Sequence, residues 1–197
     1  MTSIAFVLGN GVSRKSINLN ELKKHGTIYG CNALYREFIP DHLIAVDSKM
    51  ILEIAQSNFQ KHNNVWTNPN RLFKNIPDLN LFNPSKGWSS GPTALWLASQ
   101  HNHKHIYILG FDYKGIGDDG TRFNNIYADT YNYKNSEDRA TYHGNWLRQT
   151  ATVVSDYPTI RYTRVIAPDN FCPSELNKNR NINNILVEDF KKIFEIS

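Results

Sequence analysis

The chain has 197 residues, a length that suits one globular domain with a sizeable core. Hydrophobic residues make up 40% and aromatic residues 12% of it, which argues against disorder over most of the chain. The net charge of +4 and the pI near 9.0 favour an anionic partner. Lysine and arginine are scattered and form no nucleic-acid-binding block, so a bound nucleotide accounts for the charge as well as DNA does.

The two cysteines, Cys31 and Cys172, lie far apart and have no metal-binding spacing. They indicate neither a disulfide framework nor a zinc site, and a reducing compartment is expected. The start of the chain lacks the pattern of a signal peptide, and no apolar run approaches the ~20 residues that span a bilayer. We therefore predict a soluble, cytoplasmic protein without a membrane segment. A homo-oligomer is compatible with the sequence.

Short apolar runs alternate with helical patterns along the chain. In chain order we predict strand 4–8, helix 16–24, strand 27–31, helix 33–38, strand 42–46, helix 49–61, strand 65–67, helix 89–102, strand 105–109, helix 139–157, strand 160–166 and helix 186–196. The alternation predicts one α/β domain over residues 1–197, Rossmann-like, with a mostly parallel sheet and helices on both faces.

The remaining segments carry weaker signals. Ser48 and Ser90 are predicted to cap the helices that they precede. Residues 68–87 are predicted to be an extended loop, and residues 170–184 are a polar stretch that suits an arm contacting a partner. A lid-like loop is predicted at 114–138. Its aromatic residues would stack on a ligand if it closes over the site, and the alternative is an aromatic-rich surface loop. Its aromatic residues, with the one before it, are Tyr113, Phe123, Tyr127, Tyr131 and Tyr133.

Polar residues and glycines follow the predicted strands. Because ligands bind beyond the carboxyl ends of the strands in an open parallel sheet, these residues are the candidate site. The helix that starts at Ser89-Ser90-Gly91 is expected to begin at the same edge. The candidate ligand-binding residues are Gly9, Asn10, Gly11, Ser13, Asn32, Ser90, Gly91, Asp112 and Tyr113.

The first of these loops, "GNGVS", suits a phosphate. Glycines let the backbone approach a ligand, and the N–H groups of a following helix attract anions. However, Arg14 stands at the third glycine position of G-x-G-x-x-G, and no G-K-[ST] follows. The loop therefore remains open to two interpretations, a phosphate cradle or a strand-to-helix turn without a ligand.

The pieces "VLGNGVS", "YGCNALYREFIPDHLIAVDSKM" and "SSGPTALWLASQHNHKHIYILGFDY" resemble a superfamily with two branches. One branch is the bacterial lipooligosaccharide sialyltransferases, and the other is the archaeal 6-hydroxymethyl-dihydropterin pyrophosphokinases and motility accessory factors. The resemblance covers residues 4–113 in pieces and depends on the order and spacing of short motifs. The family loop has proline where this chain has Val12.

Resemblance to the sialyltransferases implies a pocket for a CMP-sugar donor. The residues that match are Asn10, Asn32, Ser90 and Gly91, and the histidine of "TYHGNW", His143, matches the general base. Such a reaction needs no metal cofactor if side chains neutralise the leaving phosphate. Candidates for that role are Tyr113, Tyr142 and Arg139.

Resemblance to the pyrophosphokinases implies instead that Asp47 and Asp112 hold Mg²⁺ between phosphates. Each aspartate also has a structural explanation, Asp47 as a helix cap and Asp112 as a turn residue. The segment "QHNHKH" contains His101, His103 and His105 and resembles a metal-binding tract. Such an alternation at the end of a helix is more typical of a solvated connection.

We therefore expect a sialyltransferase-like glycosyltransferase that uses a nucleotide-activated, CMP-type donor. Its expected partner is the nucleotide or nucleotide-sugar donor, and the sequence does not identify the acceptor. Alternatives are a Mg²⁺-dependent pyrophosphokinase-like enzyme and a non-catalytic nucleotide-fold protein with a binding or structural role. A viral DNA-modifying glycosyltransferase is a further alternative, suggested by the basic pI.

Overall fold

The structure is a computed structural model that describes residues 3–197. These residues form one eight-stranded sheet in which every strand pair is parallel. The sheet order is β5-β4-β3-β2-β1-β6-β7-β8. The strands are β1 (Ile4–Leu8), β2 (Thr27–Cys31), β3 (His42–Ile44), β4 (Val65–Thr67), β5 (Leu79–Leu81), β6 (His105–Leu109), β7 (Arg161–Ile166) and β8 (Ile182–Leu186).

Six α-helices and four short 3-10 helices connect the strands of the described chain. The α-helices are α1 (Leu19–Leu22), α2 (Ser48–Gln56), α3 (Ser90–Gln100), α4 (Gly144–Asp156), α5 (Ser174–Asn177) and α6 (Val187–Phe194). The 3-10 helices are Val12–Arg14, Asn32–Arg36, Phe59–Lys61 and Arg71–Phe73.

Helices cover both faces of the sheet, as β1 illustrates. Phe6 and Leu8 belong to a core layer shared with α1, α2 and α6, whereas Ala5 and Val7 belong to a layer shared with α3, α4 and α5. Successive side chains of a strand point to opposite faces, so a continuously apolar strand requires cover on both sides. The predicted Rossmann-like α/β fold is confirmed, and the sheet is entirely parallel.

The topology places a crevice between β1 and β6. The chain adds β2 to β5 on one side of β1, then returns through α3 and adds β6, β7 and β8 on the other side. The direction of strand addition therefore reverses between the carboxyl ends of β1 and β6. Parallel α/β sheets bind ligands at such a switch point.

Two segments contain strands that the sequence analysis misses. Residues 68–87, predicted to be a loop, contain β5, which pairs with β4 through Val65 and Leu79. Residues 170–184, predicted to be a polar arm, contain α5 and most of β8, which pairs with β7. The loop prediction is wrong for β5, and residues 170–184 are partly regular rather than an irregular arm; a partner contact there stays a prediction. β5 has only three residues and β8 carries Asn183 and Asn184, so neither shows a buried apolar run.

Several helix boundaries also differ from the predictions. The N-caps of α2 and α3 are Asp47 and Ser89, one residue before the predicted caps Ser48 and Ser90. Helix α2 ends at Gln56, and the left-handed Asn58 (φ 59°) separates it from the next 3-10 helix. The helix predicted from 139 begins at 144. Within residues 3–197, no helix is long and apolar enough to cross a membrane.

Histidines gather at the amino ends of the strands, away from the switch point. The Tyr29 hydroxyl lies 2.6 Å from His101 Nδ1 and 2.9 Å from His103 Nε2, and His42 stacks on the Tyr29 ring. Burial lowers the pKa of all three histidines. Burial, helped by nearby Arg161, lowers the pKa of His105 to about 4. Tyr29, His101 and His103 form a hydrogen-bonded cluster on which His42 stacks, whereas His105 bonds separately to Thr163 Oγ1. None of these described residues belongs to a group that could hold a metal ion.

Acidification is expected to destabilise the protein through these histidines. Their folded-state pKa values lie below the unfolded value near 6.5, so the unfolded chain binds more protons and stability falls as pH drops from about 6.5 toward 4. His105→Gln should reduce the loss between about pH 7.5 and pH 5 by on the order of 1 kcal/mol, a figure discounted for its partial exposure. Urea unfolding at both pH values measures this.

The matched control is His62→Gln, which changes an exposed histidine outside the strands. Any change that both variants share is not specific to His105. An identical pH dependence in His105→Gln and the wild type would contradict the assignment.

Candidate functional site

A cavity of about 480 Å³ opens at the switch point between β1 and β6. The sequence names eleven candidates for ligand, metal or base roles. Ten of them line this cavity, although they are spread over 135 positions of the chain. The ten are Gly9, Asn10, Gly11, Asn32, Asp47, Ser90, Gly91, Asp112, Tyr113 and His143. The eleventh, Ser13, lies behind the wall and donates to Asp112. Arg139 and Tyr142, candidates to neutralise a leaving phosphate, are exposed and do not line the cavity.

The glycines after β1 allow this loop to pack against the loop after β6. A Cβ atom on Gly9 would lie 2.6 Å from the Gly110 carbonyl oxygen, and one on Gly11 would lie 2.5 Å from Asp112 Oδ2. Gly110 itself has a φ of +68°, which favours glycine. Contact between the two loops therefore explains these glycines without a ligand.

Asp112 joins the two loops through its buried carboxylate. Its Oδ1 accepts from Ser13 Oγ at 2.5 Å, and its Oδ2 accepts from Ser13 N at 3.2 Å and from Asn124 Nδ2 at 3.0 Å. Asn124 Oδ1 in turn accepts from Val12 N at 2.9 Å. The first N–H groups of the 3-10 helix after the glycines are thus already paired. The Asp112 carboxylate therefore occupies the position at which the sequence suggests a bound phosphate.

A buried arginine supports each loop. Arg14 is 3% exposed and donates through Nε to the Gly9 carbonyl at 2.6 Å and through Nη2 to Asn10 Oδ1 and the Tyr127 hydroxyl. Its ionic partner is Glu37, at 3.7 Å. Because the Asn10 side chain also donates to the Cys31 carbonyl at 3.3 Å, its amide serves the structure of the loop.

Arg164 supports the second loop from β7. It is 1% exposed and donates to the carbonyl oxygens of Phe111, Asp112 and Phe171, and its guanidinium lies 5.1 Å from the centre of the Tyr113 ring. No carboxylate of residues 3–197 forms a salt bridge with it. Burial lowers its pKa, although arginine stays charged in proteins. A cation without an ionic partner therefore lies directly beneath the cavity floor.

The start of α3 forms the opposite wall. Ser90 Oγ accepts from Val46 N at 3.1 Å and donates to Asn32 Oδ1 at 2.8 Å, which ties the ends of β2 and β3 to α3. The backbone N–H groups of Ser90 and Gly91 have no hydrogen-bond partner in the described chain. Free N–H groups and the helix dipole make this wall attractive to an anion.

Aromatic side chains complete the wall. Trp88, Trp146, Phe111 and Phe123 line the cavity, and the two tryptophans are only partly buried. Flat rings of this kind suit stacking against a base or a sugar ring. The sequence analysis named neither Trp88 nor Asn124 as functional, and no periodic pattern marks them. Tyr113 is buried, its hydroxyl donates to Thr150 Oγ1 at 2.8 Å, and burial raises its pKa.

His143 is the residue that precedes α4, and its half-buried ring faces the same cavity. The ring lies 5.5 Å from that of Phe171 and 5.6 Å from that of Tyr142. Neither ring nitrogen has a hydrogen-bond partner between residues 3 and 197. Both are therefore available to a ligand.

The two aspartates fit a magnesium ion poorly. Asp47 is exposed, but both oxygens of Asp112 already accept hydrogen bonds from Ser13 and Asn124. Among the described residues, no group of three or more histidine, cysteine or acidic side chains is arranged to hold a metal ion. Asp112 is better explained as the acceptor that joins the loops.

The segment 114–138 is tied to the body of the protein at its far end. Tyr127 and Tyr133 pack against the core layer of α2, and Ile126 N donates to the Asn10 carbonyl at 2.8 Å. Arg36 and Asn132 meet at Glu53, each with a 2.7 Å hydrogen bond. A closing lid therefore fits only the near part of the segment, where Lys114, Gly115, Phe123, Asn124 and Asn125 line the cavity.

Comparison of the chain with protein-family models, with curated proteins and with solved structures finds no match. The resemblance to the sialyltransferase superfamily therefore rests on the short motifs in the sequence.

Removing the Asp112 carboxylate should separate the two loops. In Asp112→Ala, the donors on Ser13 and Asn124 lose their buried acceptor, which is expected to cost about 2–3 kcal/mol of unfolding free energy. The exposed Asp118→Ala should stay within about 0.5 kcal/mol of the wild type. Urea unfolding compares the two. Equal stability of both variants would show that the carboxylate does not join the loops.

Proposed function

We propose that the protein is a sialyltransferase-like glycosyltransferase that uses a nucleotide-activated, CMP-type sugar donor at the switch-point cavity. One observation carries the proposal: residues that the sequence marks after separate strands converge on one cavity of about 480 Å³. That volume falls within the range of cavities that hold small ligands and cofactors.

The chemistry of the walls supports a nucleotide with a negatively charged phosphate. The free N–H groups at the start of α3 and the buried Arg164 beneath the floor both favour an anion. Trp88 and Trp146 offer ring faces for a base. In this proposal the phosphate binds at the start of α3 and not at the glycine loop, because Asp112 already accepts the Ser13 N–H after the glycines.

The proposed transfer uses His143 as the general base. The acceptor hydroxyl gives its proton to a ring nitrogen of His143 as its oxygen attacks the anomeric carbon of the donor sugar. The bond between that carbon and the phosphate oxygen breaks, and the nucleoside monophosphate leaves with the bonding electrons. The first turn of α3 stabilises the charge on the departing phosphate.

A non-catalytic nucleotide-binding role is the alternative that the same cavity supports. His143 has no side chain that orients it in the described part of the chain, whereas catalytic bases are usually oriented by a third group. The pyrophosphokinase hypothesis has less support, because the Asp112 oxygens accept hydrogen bonds from the protein.

A thermal-shift comparison of CMP, CDP, UDP, ATP and GTP, with and without Mg²⁺, tests the donor class. CMP without metal should raise the melting temperature of the wild type. Trp88→Ala should abolish this shift, because it removes an aromatic wall of the cavity. Trp66→Ala is the matched control, since Trp66 is a half-buried tryptophan that lines no cavity described here.

The outcomes separate the hypotheses. A shift with ATP that requires Mg²⁺ would favour the pyrophosphokinase, and no shift with any nucleotide would overturn a nucleotide site altogether. Loss of the CMP shift in both tryptophan variants would show that the effect is not local to the cavity.

His143→Ala tests the proposed base. Release of CMP from a CMP-sugar in the presence of a mixture of methyl glycosides should fall by about 100-fold or more, since a positioned base contributes at least that much. Donor affinity, measured by calorimetry, should change less than about twofold, because the base acts on the acceptor. His62→Ala serves as the control. Unchanged turnover in His143→Ala would remove the base assignment and leave a binding role.

A further inference from the structure

A second cavity, of about 360 Å³, adjoins the first along the carboxyl edge of the sheet. Asn32 and Asp47 line both cavities and therefore stand at their boundary. The first turn of α2 forms one wall of the second cavity, and Asn132 and Tyr133 of the long segment form another. The transfer chemistry proposed above assigns no role to either boundary residue.

The Asp47 carboxylate is available to a ligand. Asp47 has the backbone conformation of an N-cap (φ −80°, ψ 130°), yet its side chain accepts no hydrogen bond from the first turn of α2. It has no salt bridge and no side-chain hydrogen bond within residues 3–197, and it is exposed. The usual capping role of an aspartate at this position is therefore not in use.

The Asn32 amide supplies a matching donor. Ser90 Oγ accepts from Val46 N and donates to Asn32 Oδ1, so the Asn32 oxygen is already engaged. The amide nitrogen of Asn32 is then left without a partner in the described chain. Asn32 directly follows β2 and has a left-handed backbone (φ 52°).

The opposite wall is held in place by Glu53. Arg36 donates to both oxygens of Glu53, and Asn132 Nδ2 donates to Oε2, all at 2.7 Å. Burial opposes ionisation of Glu53, but hydrogen bonds from Tyr35, Arg36 and Asn132 hold its pKa below the usual value. The Asn132 side of the second cavity is thus held in place, and the unpaired Asp47 carboxylate lines the same cavity.

We infer that Asp47 and Asn32 bind a pair of neighbouring hydroxyl groups on the ligand. A hydroxyl both donates and accepts, so it satisfies a carboxylate and an amide N–H together. A phosphate would be repelled by Asp47, and an ammonium group would leave the Asn32 donor unpaired. The diol comes from one of two sources, the ribose of the bound nucleotide or a saccharide in the second cavity. If the diol is the ribose of the nucleotide, the inference rests on the function proposed above.

Calorimetry with CMP and 2′-deoxy-CMP tests the ribose source. The wild type should bind CMP about tenfold more tightly, a typical effect of a hydrogen bond to a charged group. In Asp47→Ala the two nucleotides should bind with nearly equal affinity. Asp118→Ala, which changes an exposed aspartate outside both cavities, should keep the wild-type ratio. Circular dichroism checks that each variant is folded.

Saturation-transfer NMR with methyl α-mannoside, which carries a cis-diol, tests the saccharide source. One outcome is that the wild type binds both nucleotides equally and that Asp47→Ala reduces the mannoside signal at least fivefold. This outcome supports the diol site and places the diol on a saccharide. The same mannoside result with no CMP binding overturns the CMP-donor function and retains the diol site. If a folded Asp47→Ala changes neither the nucleotide ratio nor the mannoside signal, the inference is wrong.

Discussion

Contact between the loops after β1 and β6 is the constraint on which the rest of the site depends. Two glycines bring the first loop within reach of the Gly110 carbonyl, and the Asp112 carboxylate then bonds to the backbone and hydroxyl of Ser13. These contacts span about 100 positions of sequence. They fix the floor of the cavity, where the Phe111 ring lies close to Gly91 at the start of α3.

The charges beneath this floor follow from the same contact. Carbonyl oxygens in two closely packed loops need donors, and the buried guanidinium groups of Arg14 and Arg164 supply them. A lysine would offer no planar set of donors for several carbonyls at once. The loops are therefore stabilised by cations, of which Arg14 is paired with Glu37 and Arg164 has no salt bridge within residues 3–197.

Much of the fold is predictable from the sequence, for identifiable physical reasons. The strands Ile4–Leu8, Thr27–Cys31, Val65–Thr67 and His105–Leu109 are confirmed with the predicted bounds, because continuous apolar runs mark strands buried on both faces. The edge strands β5 and β8 escape prediction. Strands at the edge of a sheet are partly exposed, so they lack the continuous apolar run that marks a strand buried on both faces.

The positions around the site are predictable, but the contacts of each residue are not. The rule for parallel sheets brings Asn32, Ser90 and Asp112 to one edge. Nothing local in the sequence shows that the glycines face another loop, or that Asp112 pairs with Asn124. Such pairings depend on where distant segments meet. Trp88 carries no signal because it lies in a segment without periodic structure.

The placement of the ionisable groups separates two responses to acidity. The histidines with lowered pKa values lie at the amino ends of the strands, whereas the cations beneath the cavity are arginines, which keep their charge throughout the physiological range. Mild acid therefore weakens the scaffold from its far end while the arginines beneath the crevice stay charged. Sensitivity to acid and the lasting positive charge of the arginines therefore lie at opposite rims of one sheet.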